Sequence, residues 1–469
     1  MKRVAIAGAS GFVGDALVRA LVRDPDHEVI ALARSARPPA ERVTWRACNL
    51  LNLREAEDAL AGADSAVYLV HSMAPTARLM QGEFENFDLL AADNFARAAA
   101  RAGIRHVVYL GGLLPRNSDE RLSRHLASRL EVERTLASRG VPVTTVRAGL
   151  ILGRGGSSFE MMRRLVERLP VMIGPRWTRS KTQPVALEDV VSVLVYALGH
   201  PEIAGRAYDV GCPEVVTYAD LLRLTGEAVG RRVRILTVPM RTLRLSLLWV
   251  SLFGDTSPDL VRPLVESLEH DLVAEEGLTL QAMAGVVPTP LREALRRAVD
   301  AREERERAPR RSAPRPTQPI PPATACSVQR LPLPPGRDAA WVAAEYARWL
   351  GSSMRGALRV DGNEDGDLRF SAAAWHRSLL ELSPWRERSA PDRALFKVAR
   401  GALLGRSESA APPRLEFREV LDRRFVLAAV QDYPPSLPWP VYTATQARVH
   451  SWVMCSFGEH LAQLAENAS

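Results

Sequence analysis

Three glycines stand in the run Gly8-Ala9-Ser10-Gly11-Phe12-Val13-Gly14, between the apolar residues Val4-Ala5-Ile6-Ala7 and an apolar-periodic stretch from Phe12 to Val22. A strand, a glycine turn and a helix start in that order bring free backbone amides and the positive end of a helix dipole to one point. Glycine supplies the turn's unusual φ and removes the Cβ that would keep a ligand away. The chemistry served is the grip on a pyrophosphate, and the strand-turn-helix context predicts a dinucleotide site. A second group stands twenty residues after Gly14, where the apolar run from His27 to Ala33 ends in Arg34-Ser35, with Arg37 close by. A carboxylate at that place would bond a ribose 2′-hydroxyl, whereas a guanidinium beside a hydroxyl suits a 2′-phosphate. NADP is therefore expected over NAD, by about ten- to a hundredfold from one charge-assisted bond.

Parallel strands alternating with helices are needed to position these groups. Val43 to Arg46, Ser65 to Val70, His106 to Leu110, Pro142 to Val146 and Ala207 to Val210 read as further strands. Between them, Phe84, Phe87, Leu90, Ala91, Phe95 and Ala98 recur at helical spacing and predict a core-facing helix over 83–101. Ser157 and Glu160 have capping-box spacing, and Thr217 precedes a helix reaching about Val229. This alternation predicts an α/β, Rossmann-type doubly wound parallel sheet over 1–300, with a helical substrate-side region over 240–300. In that region Leu243, Leu245, Leu247, Leu248, Trp249, Leu252 and Phe253 are apolar and could form a lid.

Residues 301–337 are rich in Arg and Pro, which predicts an extended linker. From 338 to 469 the pattern changes to a smaller α+β domain. Strands are expected at Leu358 to Val360, Leu368 to Phe370, Leu379 to Leu382, Leu415 to Val420 and Phe425 to Val430. Asp361-Gly362-Asn363 and Asp365-Gly366 supply turn chemistry. A final helix over Thr443 to Ala465 carries Val449, Trp452, Val453, Phe457 and Leu461 along one side.

The net charge of +8 is mostly local, since 301–337 hold eight Arg against three Glu. With no basic stripe interleaved with aromatics, nucleic acid is not an expected partner. No apolar run reaches the roughly 18 residues that span a bilayer. The first strand begins at the second residue, so a signal peptide is not expected. Cys48, Cys212, Cys326 and Cys455 lie far apart without C-x-x-C spacing. That argues against a metal site or a disulfide framework and for a reducing, cytoplasmic setting.

With the glycine turn, Arg34 and the strand alternation in hand, the chain resembles the short-chain dehydrogenase/reductase superfamily. The likeness is greatest to its atypical, NmrA-like NAD(P)H-binding branch and covers about residues 1–285. Tyr68-Leu69-Val70-His71-Ser72-Met73, Tyr109-Leu110-Gly111-Gly112-Leu113, Ser158-Phe159-Glu160-Met161, Arg168-Leu169-Pro170-Val171-Met172 and Gln183-Pro184-Val185 add to it. The resemblance implies that Gly8, Ser10, Gly11, Phe12, Val13 and Gly14 hold the pyrophosphate and that Arg34 and Ser35 face the 2′-phosphate. It implies that Asn49-Leu50 lie beside the adenine, and that Leu69, Val70 and His71 line the ribose and nicotinamide side. The 338–469 region is similar to helix-grip, START-like folds only in its sheet and long last helix.

Members that do redox chemistry use Tyr-x-x-x-Lys, and this chain cannot. Its only lysines are Lys2, Lys181 and Lys397, and four residues before the latter two stand Trp177 and Arg393. Ser123-Arg124-His125-Leu126-Ala127-Ser128-Arg129 occupies the equivalent place, and Gly111-Gly112 replace the usual serine. His125 and Arg129 share i, i+4 spacing and so one helix face. His125 is a candidate general acid, Arg129 a contact to ribose or substrate anion, and His71 a rival acid after a strand end. Three functions stay open. The chain could be an NADPH-dependent oxidoreductase on a small or apolar carbonyl or quinone-type substrate, a non-catalytic NADP-binding sensor or scaffold, or a binder of a lipid-like ligand through its last domain.

Overall fold

Val4, Ala5, Ile6 and Ala7 are almost wholly buried because their strand lies inside a seven-stranded sheet. The computed structural model describes the chain apart from residues 36, 72–79, 117–121, 238–264, 276–278, 308–323, 355, 374–376, 407–410 and 468–469. The chain packs into two units, Met1–Met73 with Ala91–Arg315, and Ala74–Leu90 with Pro316–Ser469.

In the first unit the strands are β1 (Lys2–Ala7), β2 (His27–Ala33), β3 (Val43–Ala47), β4 (Ser65–Tyr68), β5 (Val107–Gly112), β6 (Val143–Ala148) and β7 (Ala207–Val210). They are all parallel and lie in the order β7-β6-β5-β4-β1-β2-β3. The helices that close the crossovers are α1 (Phe12–Val22), α2 (Leu53–Leu60), α3 (Phe84–Arg101, from Ala91 in this unit), α4 (Arg124–Ala137), α5 (Ser157–Arg168) and α6 (Leu187–Gly199). Among its apolar cores, one holds Ile6, Leu17, Leu21 and Leu194 and another Leu60, Tyr68, Phe95 and Tyr109. A fully buried side chain of this size stabilises by roughly 1.5–3 kcal/mol, more than the ~1 kcal/mol that strand propensity spans. α7 (Tyr218–Ala228) is capped by Thr217, whose Oγ1 accepts from Asp220 N at 3.1 Å, as its sequence predicts. α5 departs from expectation. Its N-cap is Gly156, with no side-chain cap, and Glu160 pairs with Arg163 at 3.2 Å instead. Among the described residues of 265–307, helix covers 265–267, Leu280–Met283 and α8 (Leu291–Arg307). The apolar candidates from Leu243 to Phe253 lie outside the described residues.

The second unit corrects the linker boundary. Ala325–Pro332, inside the Pro- and Arg-rich stretch, forms β8 and pairs antiparallel with β14 (Phe425–Tyr433). Its strand partner supplies the order that composition argues against. After α9 (Ala339–Ser353) come β9 (Leu358–Gly362), β10 (Leu368–Ala372), β11 (Ser378–Pro384), β12 (Arg393–Arg400) and β13 (Arg414–Val420). The sheet order is β9-β10-β11-β12-β13-β14-β8, with the two-residue strand Met80–Gln81 added parallel to β8. The β9-β10 turn matches its sequence, with Gly366 at φ +87° and its N–H donated to Asn363 O at 3.1 Å. The long helix α10 (Gln446–Glu466) packs on β8, and Val453, Phe457 and Leu461 are buried. Val449 and Trp452, expected on the same buried side, are 53% and 57% exposed. The five positions span more of the helix circumference than its core contact covers.

Candidate functional site

At the crevice where strand order reverses, between β1 and β4, the glycine turn meets the end of β4. Gly8 has φ +86°, which only glycine adopts without cost, and a Cβ there would lie 3.1 Å from Leu69 O. Gly14 is held tighter still, for its Cβ would stand 2.1 Å from Gly8 O. Gly11 N donates to Gly8 O at 2.9 Å, and Gly11 is the N-cap of α1 without a side-chain cap. The first-turn amides of α1, at Phe12, Val13 and Gly14, have no intrahelical partner by the geometry of any helix start. Glycine backbone, uncapped amides and helix dipole together fit a pyrophosphate. Ser10 is exposed beside them.

Sequence reasoning missed the second glycine cluster. A Cβ at Gly153 or Gly156 would come within 3.0 Å of the Phe12 ring. Phe12 is thus clamped by the loop before α5, which sets the direction of α1's first turn. The run Gly153-Arg154-Gly155-Gly156 was the available signal.

β2 pairs with β1, so Arg34 lies one strand over from the glycine turn. It is exposed and makes no hydrogen bond or ion pair among the described residues; Ser35 is half-buried. Arg37 is engaged elsewhere, its guanidinium 4.7 Å above the Trp45 ring. Cys48 N donates to Ala33 O at 2.8 Å and brings Asn49 alongside. Asn49 Oδ1 accepts from Leu51 N at 3.1 Å, which fixes the side chain and leaves its two amide donors and a second lone pair on Oδ1 for a ligand. Leu50 O accepts from Asn94 Nδ2 at 2.8 Å.

Past β4, Leu69 N donates to Ala7 O at 3.0 Å and packs on one core, while Val70 packs on the other. His71 follows them. Its Nδ1 is hydrogen-bonded to the guanidinium of Arg129, a buried residue on α4. Tyr109 donates its hydroxyl to Arg129 O at 3.3 Å. α4 starts at Ser123, whose Oγ accepts from Leu126 N. The half-buried His125 ring lies 5.2 Å from that of His71, and its Nδ1 has no partner among the described residues. Burial pushes the His125 pKa down to about 4, so the ring is neutral at pH 7. The same cause lowers Arg129 to about 10, which still leaves it charged. The structure thus brings His71, His125 and Arg129 together. Ser72 and Met73 lie outside the described residues.

An NAD(P)H-binding family model matches residues 8–201. An epimerase family protein of Mycobacterium bovis is 30% identical over 250 residues, covering 49% of this chain and 79% of that protein. The epimerase family protein SDR39U1 of Bos taurus is 26% identical over 250 residues, or 49% and 81% of the two chains. Among solved structures, the NADPH-dependent quinone oxidoreductase QOR2 of Escherichia coli, complexed with NADPH, aligns with a TM-score of 0.50 at 19% identity. It covers 62% of this chain and 98% of that one. Triphenylmethane reductase of Citrobacter sp. aligns at 0.50 and 17% identity, covering 64% and 100%. At such identities the two structures speak for the fold alone.

Proposed function

The chain belongs to the atypical short-chain dehydrogenase/reductase superfamily, with an NAD(P)H-binding domain and kinship to the epimerase family proteins, and on that footing we propose that it is an NADPH-preferring oxidoreductase acting on a small or apolar carbonyl or quinone-type acceptor. The observation that carries the reading is the His71–Arg129 pair beside the glycine turn. A guanidinium only donates, so His71 Nδ1 is the acceptor and the ring proton belongs on Nε2. Bound NADPH supplies a hydride. His71 Nε2–H and the Arg129 cation are the chain's donors for an acceptor oxygen that gains negative charge. Neutral His125 enters as a hydrogen-bonding ring rather than as a ready acid. Arg34, exposed and without a partner among the described residues at the end of β2, supports selection of the 2′-phosphate.

The neutral His125 and the lack of Tyr-x-x-x-Lys also favour a second reading, a cofactor-binding sensor without turnover. Fluorescence titration of the full chain tests the first part. NADPH should bind about ten- to a hundredfold tighter than NADH, and Arg34→Ala should weaken NADPH alone. Equal affinities would refute the preference. Accelerated cofactor oxidation with any member of a carbonyl and quinone panel separates the enzyme from the sensor.

A further inference from the structure

Val171–Gly174 and Arg234–Thr237 form a two-stranded parallel ribbon in the first unit, apart from the main sheet. Strand alternation divides its faces. Met172 and Ile235 are buried in a core with Phe159 and Leu221. On the outward face stand Val171, Ile173 and Leu236, at 51%, 45% and 59% exposure. The register sets Ile173 against Leu236 and Val171 against Arg234, so the apolar side chains form one patch.

Cations ring it. Arg168 leads into one strand, Arg231 and Arg232 lead into the other, Arg234 stands on the ribbon, and Arg176 and Arg179 follow it. All six are exposed, and none has a side-chain hydrogen bond or ion pair among the described residues. Among the described residues, the carboxylates nearest these arginines in sequence are paired with other groups, Glu167 with Arg163 and Glu227 with Arg292. A second copy of the chain would set these cations against cations. A duplex nucleic acid would satisfy the charge and leave three aliphatic side chains facing sugar-phosphate. Anionic lipid satisfies both, with headgroup phosphates for the guanidinium groups and the acyl boundary for the aliphatic side chains.

We propose that this ribbon docks the protein peripherally on an anionic membrane surface. The proposal stands apart from the redox reading and needs no cofactor. Full-length protein would be sedimented with vesicles of phosphatidylcholine containing phosphatidylglycerol, and with phosphatidylcholine alone. Binding is expected only to the anionic vesicles, weakening steeply as salt screens the headgroups. Arg231→Gln with Arg232→Gln should cost ~30-fold in vesicle affinity. Ile173→Ser with Leu236→Ser should cost roughly tenfold at unchanged charge. Unaltered melting midpoints certify the fold of both variants, and a variant that melts early is replaced by Arg176→Gln with Arg179→Gln, for which the same ~30-fold loss is expected. The proposal is overturned by failure to bind anionic vesicles, by equal binding to neutral ones, by retention in the variants, or by equally tight binding to a short DNA duplex.

Discussion

Arg129 is a buried cation whose guanidinium holds the Nδ1 of His71, two residues past the close approach of Leu69 to Gly8. Removing it takes away both a charge and the contact that sets the histidine's tautomer. With a responsive acceptor, Arg129→Gln should lower kcat by ~10²–10³, as loss of a preorganised donor does, while NADPH affinity changes little. His71→Gln should act in the same direction, and His125→Gln should cost less than tenfold. A full rate in Arg129→Gln would remove the pair from the mechanism. The i, i+4 relation of His125 and Arg129 was legible from spacing. The His71–Arg129 contact was not, because their 58-residue separation is closed only by β4 and β5 pairing and α4 packing on β5.

At the scale of the element, α1 owes its place to two contacts, Gly14 against the Gly8 carbonyl and Phe12 against the glycines before α5. Gly14→Ala drives a methyl into backbone that cannot yield as a side chain would. It should cost ~1–3 kcal/mol in denaturant unfolding and abolish cofactor binding. Gly199→Ala, with nothing within 4 Å of its new Cβ, serves as the near-neutral control. Wild-type binding by Gly14→Ala would exclude the turn as the phosphate cradle. The strand-turn-helix was readable because its signals are local. The α5 cap was misread since Arg163 lies one turn on and draws Glu160 away. β8 was passed over since its order comes from pairing with β14, about a hundred residues later.

For the whole molecule, burial of ionisable groups in both units makes stability depend on acid. His125 in the first unit and His450 in the second are each pushed by burial to about 4, from an ordinary 6.5. A lowered histidine pKa means the unfolded chain takes up the proton first. The stabilisation is complete above pH 6.5 and is lost as pH falls from there to about 4. The unfolding midpoint should drop across that window, and His125→Gln with His450→Gln should flatten the drop; an unchanged slope would show that other groups govern it. Below it, Glu416 enters. Burial alone would raise its carboxyl, but Arg418 and Arg393 outweigh that and hold it at about 2. Arg393 bonds it at 2.7 and 3.2 Å. The stabilisation from that triad is present above pH 4.5 and is lost as pH falls from there to about 2.

The order of strands and helices in the first unit, the glycine turn, the charge of Arg34 and the lack of a Tyr-x-x-x-Lys pair were all present in the residues themselves. Each depends on period, local φ or the identity of a single side chain. Tertiary structure alone decided which distant residues meet. It joined His71 to Arg129, seated Phe12 on Gly153 and Gly156, and turned Val171, Ile173 and Leu236 outward among exposed arginines. It also recruited Met80–Gln81 beside β8. Those outcomes follow from strand order and register, long-range choices that a one-dimensional pattern does not encode.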